Sequence, residues 1–242
     1  MNPPPPLRLG TWLSIGDPAI AELASLCGFD WALLDLEHGC APESALPGQL
    51  RALAAGATEG IVRVGAPHPD QIARVLDWGA HGIMVPRVES AAAAEGIVAA
   101  ACHSPQGQRG FSRTVRATGY GLREHPPKPC LMAQIETLAG VAAAGEIAAV
   151  EGIDVLFVGP ADLRHDLQHR RDGADQPDYE GCLSTVAEAA RAAGKETGIL
   201  LRDPSALAAY EALGFTRIAL DSDLSILRRA YQGLLRGRER EG

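Results

Sequence analysis

The chain has 242 residues, 46% of them apolar and 21% charged, an ordinary soluble composition whose length suits one large core. Its formal charge of −8 excludes a phosphate-backbone partner, which would need clustered Lys and Arg. No apolar run is long enough to span a bilayer, Met1–Pro6 carry no signal-peptide pattern, and five cysteines without CxxC spacing fit reduced thiols in a cytoplasm.

In chain order, eight short apolar runs are predicted as strands: Leu9–Ile15, Trp31–Leu36, Gly60–Val64, Gly82–Val88, Cys130–Ile135, Asp154–Val158, Thr197–Leu201 and Thr216–Leu220. None alternates with polar residues, as expected where a parallel sheet is covered on both faces. Helical patterns follow at Pro18–Leu26, Ala45–Ala54, Asp70–Trp78, Ala91–Cys102, Ala139–Val150, Pro204–Leu213 and Leu224–Leu235, and Tyr179–Ala193 comes after a longer loop. Asp17, Ser90, Thr137 and Asp203 are placed to cap helix starts, and Gly28, Gly79, Gly152, Gly194 and Gly214 to end helices. This alternation predicts an α/β fold, a single (β/α)8 TIM barrel over residues 1–242.

Two connections exceed what helix–strand geometry requires. His103–Pro129 carries GQRGFSR, and Leu163–Asp178 is polar and contains HRRDGAD. The second begins at a strand's C-terminal end, so it has the better claim to cover an active site. The basic cluster Arg228–Arg240 reads as a solvated helix end.

Residues able to do chemistry fall where the apolar runs stop. Glu136 and Asp162 end the fifth and sixth strands, which are neighbours in a barrel, and Gln134 lies two residues before Glu136 on the same strand face. Two carboxylates at one rim suit a hard divalent cation, and a helix cap or an ion pair is the competing explanation for either one alone. His38 ends the second strand inside LDLEHG and can titrate near neutrality at the barrel mouth. Arg63 ends the third, where it either holds a developing anionic oxygen or closes a salt bridge with Asp35 or Glu37. The backbone amides of Ala161 and Asp162, after Gly159-Pro160, offer a carboxylate site, although tight turns use the same residues. Lys128 and Lys195, the only lysines, each precede a strand, which places them at the bottom of the barrel and argues against Schiff-base chemistry.

LDLEHG, the VR of GIVRVG, IMVPRVESA, GQRGFS, QIET and FVGPADL occur in the order found in the HpcH/HpaI aldolase family, which the chain resembles over nearly its whole length. The likeness is to class II pyruvate aldolases that cleave 4-hydroxy-2-oxoheptanedioate and related hydroxy-oxo acids, and it extends to AGKETGIL and ALDSDLSIL. The resemblance implies reversible cleavage of a 4-hydroxy-2-oxo acid to pyruvate, or a similar 2-oxo acid, and an aldehyde through a metal-bound enolate. It implies Mg²⁺, Mn²⁺ or Co²⁺ held by Glu136 and Asp162, with Gln134 and the amides of Ala161 and Asp162 on the pyruvate moiety. His38 becomes the base, Asp77 the carboxylate that raises its basicity, Arg63 the transition-state stabiliser, and Leu200 a neighbour of the aldehyde pocket. It also implies a homo-oligomer (a hexamer or trimer of dimers), with Leu224–Leu235 either exchanged between subunits or covering its own barrel.

The chain departs from the family pattern after GPADL. Many members continue with a Ser-rich, Gly-containing turn, whereas here Arg164-His165-Asp166-Leu167-Gln168 follows. Arg164 and His165 there either reach a distal carboxylate or are solvated. Competing functions are a lyase of malyl- or citramalyl-coenzyme A type, a metal-dependent decarboxylase or isomerase of an oxo acid, and a non-catalytic oxo-acid binder.

Overall fold

The apolar runs extend into β1 (Arg8–Leu13), β2 (Trp31–Asp35), β3 (Glu59–Arg63), β4 (Gly82–Val85), β5 (Cys130–Ile135), β6 (Val155–Val158), β7 (Glu196–Leu201) and β8 (Arg217–Ser222). All pairings are parallel and follow chain order, and β8 returns to β1 to close the barrel. The computed structural model describes residues 5–169 and 177–236. The HRRDGAD stretch beyond His169 and the end of the basic C-terminal cluster lie outside those residues.

The helices are α1 (Pro18–Leu26), α2 (Leu46–Ala55), α3 (Pro69–Asp77), α4 (Ala91–Ala101), α5 (Leu138–Ala142), α6 (Ala144–Ala149), α7 (Pro160–His169), α8 (Tyr179–Ala192), α9 (Leu207–Ala212) and α10 (Asp223–Arg236). Their starts follow from side chains that accept otherwise unpaired first-turn amides. Asp17 accepts from Ala19, Ser90 from Ala93, Thr137 from Gly140 and Asp178 from Gly181, at 2.7–3.2 Å. Asp203 does the same for a single 3₁₀ turn ahead of α9. Gly28 and Gly214 end their helices with φ of +88° and +98°, a conformation that costs other residues a steric clash.

Two elements differ from expectation. The predicted helix Ala139–Val150 is broken at Ala143 into α5 and α6; Gly140 and Gly145 lower the helical preference of this stretch. The first half of the predicted loop Leu163–Asp178 is helical. Pro160 opens α7, and Leu163, Asp166 and Leu167 are buried at i, i+3 and i+4 along one face, so the GPAD sequence starts a helix rather than a tight turn.

Apolar side chains form two layers. Leu34, Val62, Ile83, Leu156 and Ile199 face outward against helix residues such as Leu50, Ile72, Ile97 and Val186. Trp12, Trp31, Leu33, Ile61, Met84, Met132, Val155, Phe157 and Ala219 fill the barrel itself. The period of two along each strand sorts one set from the other. It also aims the residue that follows the last interior side chain, so Asp35 follows Trp31 and Leu33, Arg63 follows Ile61, and Gln134 follows Met132 at the C-terminal rim.

Interior volume is balanced by glycine opposite aromatic rings. A Cβ at Gly10 would overlap the Trp31 ring, and one at Gly198 would overlap Phe157 and press the Arg217 carbonyl. Gly198→Ala is therefore expected to cost about 1–3 kcal/mol in urea denaturation. The same change at exposed Gly96 inside α4, where a Cβ meets open space, should add about 0.5–1 kcal/mol.

Candidate active site

The rim is organised by a register match: Asp35 on β2 lies directly opposite Arg63 on β3. The pair is bidentate, with Arg63 Nε donating to Asp35 Oδ1 at 2.9 Å and Nη2 to Oδ2 at 2.7 Å. Arg63 Nη1 reaches Glu37 Oε2 at 2.8 Å, and the guanidinium lies 4.7 Å from the centre of the Trp12 ring. Trp12 Nε1 donates to Asp35 Oδ2 at 3.1 Å, and the amides of Glu37 and His38 both donate to Oδ1. Burial alone would raise the Asp35 carboxyl, but the hydrogen bonds and charge of Arg63 outweigh it and hold the group below the usual carboxylate range. Glu37, less well bonded, is raised by burial despite Arg63. Both salt-bridge partners foreseen for Arg63 are thus engaged.

The second half of the site is acidic. Glu136 follows β5 and is 3% exposed. Its Oε1 accepts the Arg87 amide at 2.9 Å, and its Oε2 accepts Gln134 Nε2 at 2.7 Å. Arg87 has a left-handed φ of +53°, unusual for a residue with a side chain, and its amide meets this carboxylate. Burial first, then the charges of Asp162 and Glu37, push the Glu136 carboxyl up to about 7. Gly159, after β6, leaves room for these groups, since a Cβ there would lie 2.6 Å from Glu136 Oε2 and 2.8 Å from Gln134 Nε2.

The donor set fits a hard divalent cation. Glu136 carries a carboxylate that burial and like charge make costly, Asp162 adds its charge, and the buried Gln134 Oε1 has no hydrogen-bond partner. Among the described residues no three His, Cys, Asp or Glu side chains form a complete cage.

A cavity of about 480 Å³ opens at this rim, lined among others by Trp12, His38, Arg63, Gln134, Asp162 and Leu200. Glu136 is buried behind Gln134 and Gly159. The His38 side chain is 68% exposed, with Nε2 3.9 Å from Glu37 Oε1. Ala161 and Asp162 belong to the first turn of α7, whose amides have no carbonyl partner within the helix, and both residues line the cavity.

Asp77 is not brought to His38 within the chain. It ends α3, which runs back to the strand starts, so it sits at the other end of the barrel. There it pairs with the buried Arg109 of GQRGFS at 2.5 Å and lines a separate cavity with Arg51, Trp78 and Arg116. The carboxylate beside His38 in one chain is Glu37. Lys128 pairs with Asp154 at 2.9 Å ahead of β5, and Lys195 immediately precedes β7. Neither lines the rim cavity. Sequence reasoning missed four contributors: Asp35 as the hub of the rim, the ring of Trp12, the Arg87 amide and the room left at Gly159. The strand period could have found Asp35, and nothing local marks the left-handed turn at Arg87.

A sequence model of the family described as HpcH/HpaI aldolase/citrate lyase matches residues 8–230. A hydroxypyruvate/pyruvate aldolase of Pseudomonas aeruginosa is 39% identical over 94% of this chain and 87% of its own length. A 5-keto-4-deoxy-D-glucarate aldolase of Shigella dysenteriae is 36% identical over 94% and 91%. The crystal structure of an HpcH/HpaI aldolase/citrate lyase family protein from Burkholderia cenocepacia superposes with a TM-score of 0.88 at 34% identity, covering 97% of this chain and 95% of that one.

Asp35→Asn should destabilise the protein by roughly 3–5 kcal/mol at pH 7, because Arg63 stays buried with one partner fewer. A depressed folded-state value means the Asp35 contribution is full above its unfolded value, near 3.9, and is lost as pH falls through the folded one. Urea denaturation from pH 7 down to pH 2.5 should therefore show the gap between variant and parent closing at the acid end.

Proposed function

The chain belongs to the HpcH/HpaI aldolase/citrate lyase family, and from that premise we propose that its rim cavity cleaves a 4-hydroxy-2-oxo acid reversibly to pyruvate, or a similar 2-oxo acid, and an aldehyde. It is a carbon–carbon lyase of the aldolase class. One observation carries the reading of the chemistry: Gln134 and Asp162 line a cavity that neither lysine lines, and the buried Glu136 carboxylate is bonded to Gln134 directly behind it.

Glu136 and Asp162 are the residues that would hold a divalent cation, Mg²⁺, Mn²⁺ or Co²⁺. Bound there, such an ion would supply the positive charge that lowers the cost of the enolate left by carbon–carbon cleavage. Gln134 and the first-turn amides of Ala161 and Asp162 orient the oxo-acid head, the amides by donating to its carboxylate. His38 Nε2 takes the proton of the 4-hydroxyl as the C3–C4 bond breaks. The aldehyde forms at C4, and the bonding pair stays with the three-carbon fragment, which is protonated at C3. Arg63 uses two N–H groups on Asp35 and pairs its charge with Glu37, which fixes its plane and leaves donors on Nη1 and Nη2 for the oxygen that gains charge. Leu200 packs beside the aldehyde half.

The active form proposed is a cytoplasmic homo-oligomer, a hexamer or trimer of dimers. Asp77 and His38 sit at opposite ends of one barrel, so a role for Asp77 in raising His38 basicity requires the two to come from different subunits.

Deuterium incorporation into the pyruvate methyl group in D₂O, read by mass spectrometry, tests the reaction without a choice of aldehyde. Exchange should need Mg²⁺ or Mn²⁺, stop with chelator, and fall about 10²–10⁴-fold in His38→Ala. Metal-dependent exchange that survives Glu136→Ala in a folded protein would refute the ligand assignment. Gly159→Ala should weaken Mn²⁺ binding in calorimetric titration by roughly 10–100-fold, since the new methyl displaces Glu136 and Gln134.

A further inference from the structure

The rim cavity has a second end, with charge of the opposite sign. Arg164 lies on α7 one turn after Pro160, and Arg202 directly follows β7; both line the same cavity as His38, Arg63 and Gln134. The Arg164 guanidinium sits 3.8 Å from the centre of the Tyr179 ring and has no carboxylate partner among the described residues. Stacking holds its plane while leaving the N–H edge unspent. The Arg202 side chain is 65% exposed, and Asp221, 4.0 Å away, is itself ion-paired with Arg229 at 2.5 Å. Asp203, the acid at this end, is turned to cap its own loop through the Ser205 amide at 2.9 Å. Tyr179 and Tyr210 wall the space between, and Leu200 lies on the way to the reacting end. In a chain of net charge −8, two arginines with unspent donors facing one cavity form a local site for an anion.

We infer that Arg164 and Arg202 read a carboxylate on the distal end of the aldehyde half, so that the cavity selects dicarboxylic hydroxy-oxo acids over those with neutral tails. The inference rests on the aldolase reading for the identity of the head group. The oxo-acid head takes the α7 amides and Gln134, the apolar middle passes Leu200, and the tail carboxylate meets the two guanidinium groups.

The test is calorimetric binding of two ligands that share the 2-oxo-acid head and chain length, lack the hydroxyl needed for cleavage and differ in one carboxylate: 2-oxoadipate and 2-oxohexanoate, with Mn²⁺ present. The protein should bind 2-oxoadipate roughly 10- to 100-fold more tightly at low salt, less so at high salt, as charge-assisted bonds to one carboxylate require. Arg164→Gln with Arg202→Gln should bring the ratio near one through loss of 2-oxoadipate affinity, and Arg164→Lys, which keeps charge without the planar stack, should give an intermediate ratio. Equal affinities in the unsubstituted protein, or a preference that survives the double substitution, overturns the inference. Methyl exchange of pyruvate by the unsubstituted protein reports on the aldolase reading by itself. A carboxylate preference without exchange keeps the anion site and removes the reaction, and exchange without the preference does the reverse.

Discussion

The bidentate bond between Arg63 and Asp35 ties the ends of two neighbouring strands at the point where the apolar barrel interior gives way to the cavity. A guanidinium buried at that depth without a partner would cost several kcal/mol, more than its dispersion contact with Trp12 returns. The carboxylate that neutralises it also accepts the Trp12 indole and the amides of Glu37 and His38. One side chain therefore sets the guanidinium plane, the tilt of an interior ring and the turn that carries the imidazole to the rim. The pair enforces one geometry on all three.

The cavity is polarised. Negative charge is concentrated at the Glu136, Asp162 and Glu37 side, where burial makes it expensive and an added cation relieves it. Positive charge with unspent donors lies at the Arg164 and Arg202 side. Arg63 stands between, its charge answered by two carboxylates, so it acts as a directional donor more than as an attractive field. An elongated dianion bound next to a divalent cation matches this distribution from end to end.

Much of this was legible because one periodicity serves two purposes. The alternation that packs Trp31 and Leu33 inward also aims Asp35, and the same holds for Ile61 with Arg63 and Met132 with Gln134. Strand ends, caps and closing glycines are local signals, so barrel topology and the rim positions of His38, Arg63, Gln134, Glu136 and Asp162 could be read from the chain. What could not be read depends on contacts distant in sequence. Asp77 is drawn to Arg109, 32 positions on, by a buried charge that only the folded base of the barrel creates. The helix at Pro160–His169 is held by burial of Leu163 and Leu167 against their neighbours, while its polar composition alone suggests a loop. The left-handed turn at Arg87 is fixed by the demand of Glu136 for an amide, and no residue type announces it.

The scarcity and placement of lysine have a consequence for durability. An aldehyde released into the rim cavity meets guanidinium, imidazole, carboxylate and phenol groups, none of which forms carbinolamine adducts as a primary amine does. Lys128 and Lys195 lie at the opposite end, the first held against Asp154. A primary amine at the rim would trap a carbonyl compound entering the cavity as an imine, and this chain keeps both of its lysines at the other end, where they offer handles for tethering it to a solid support.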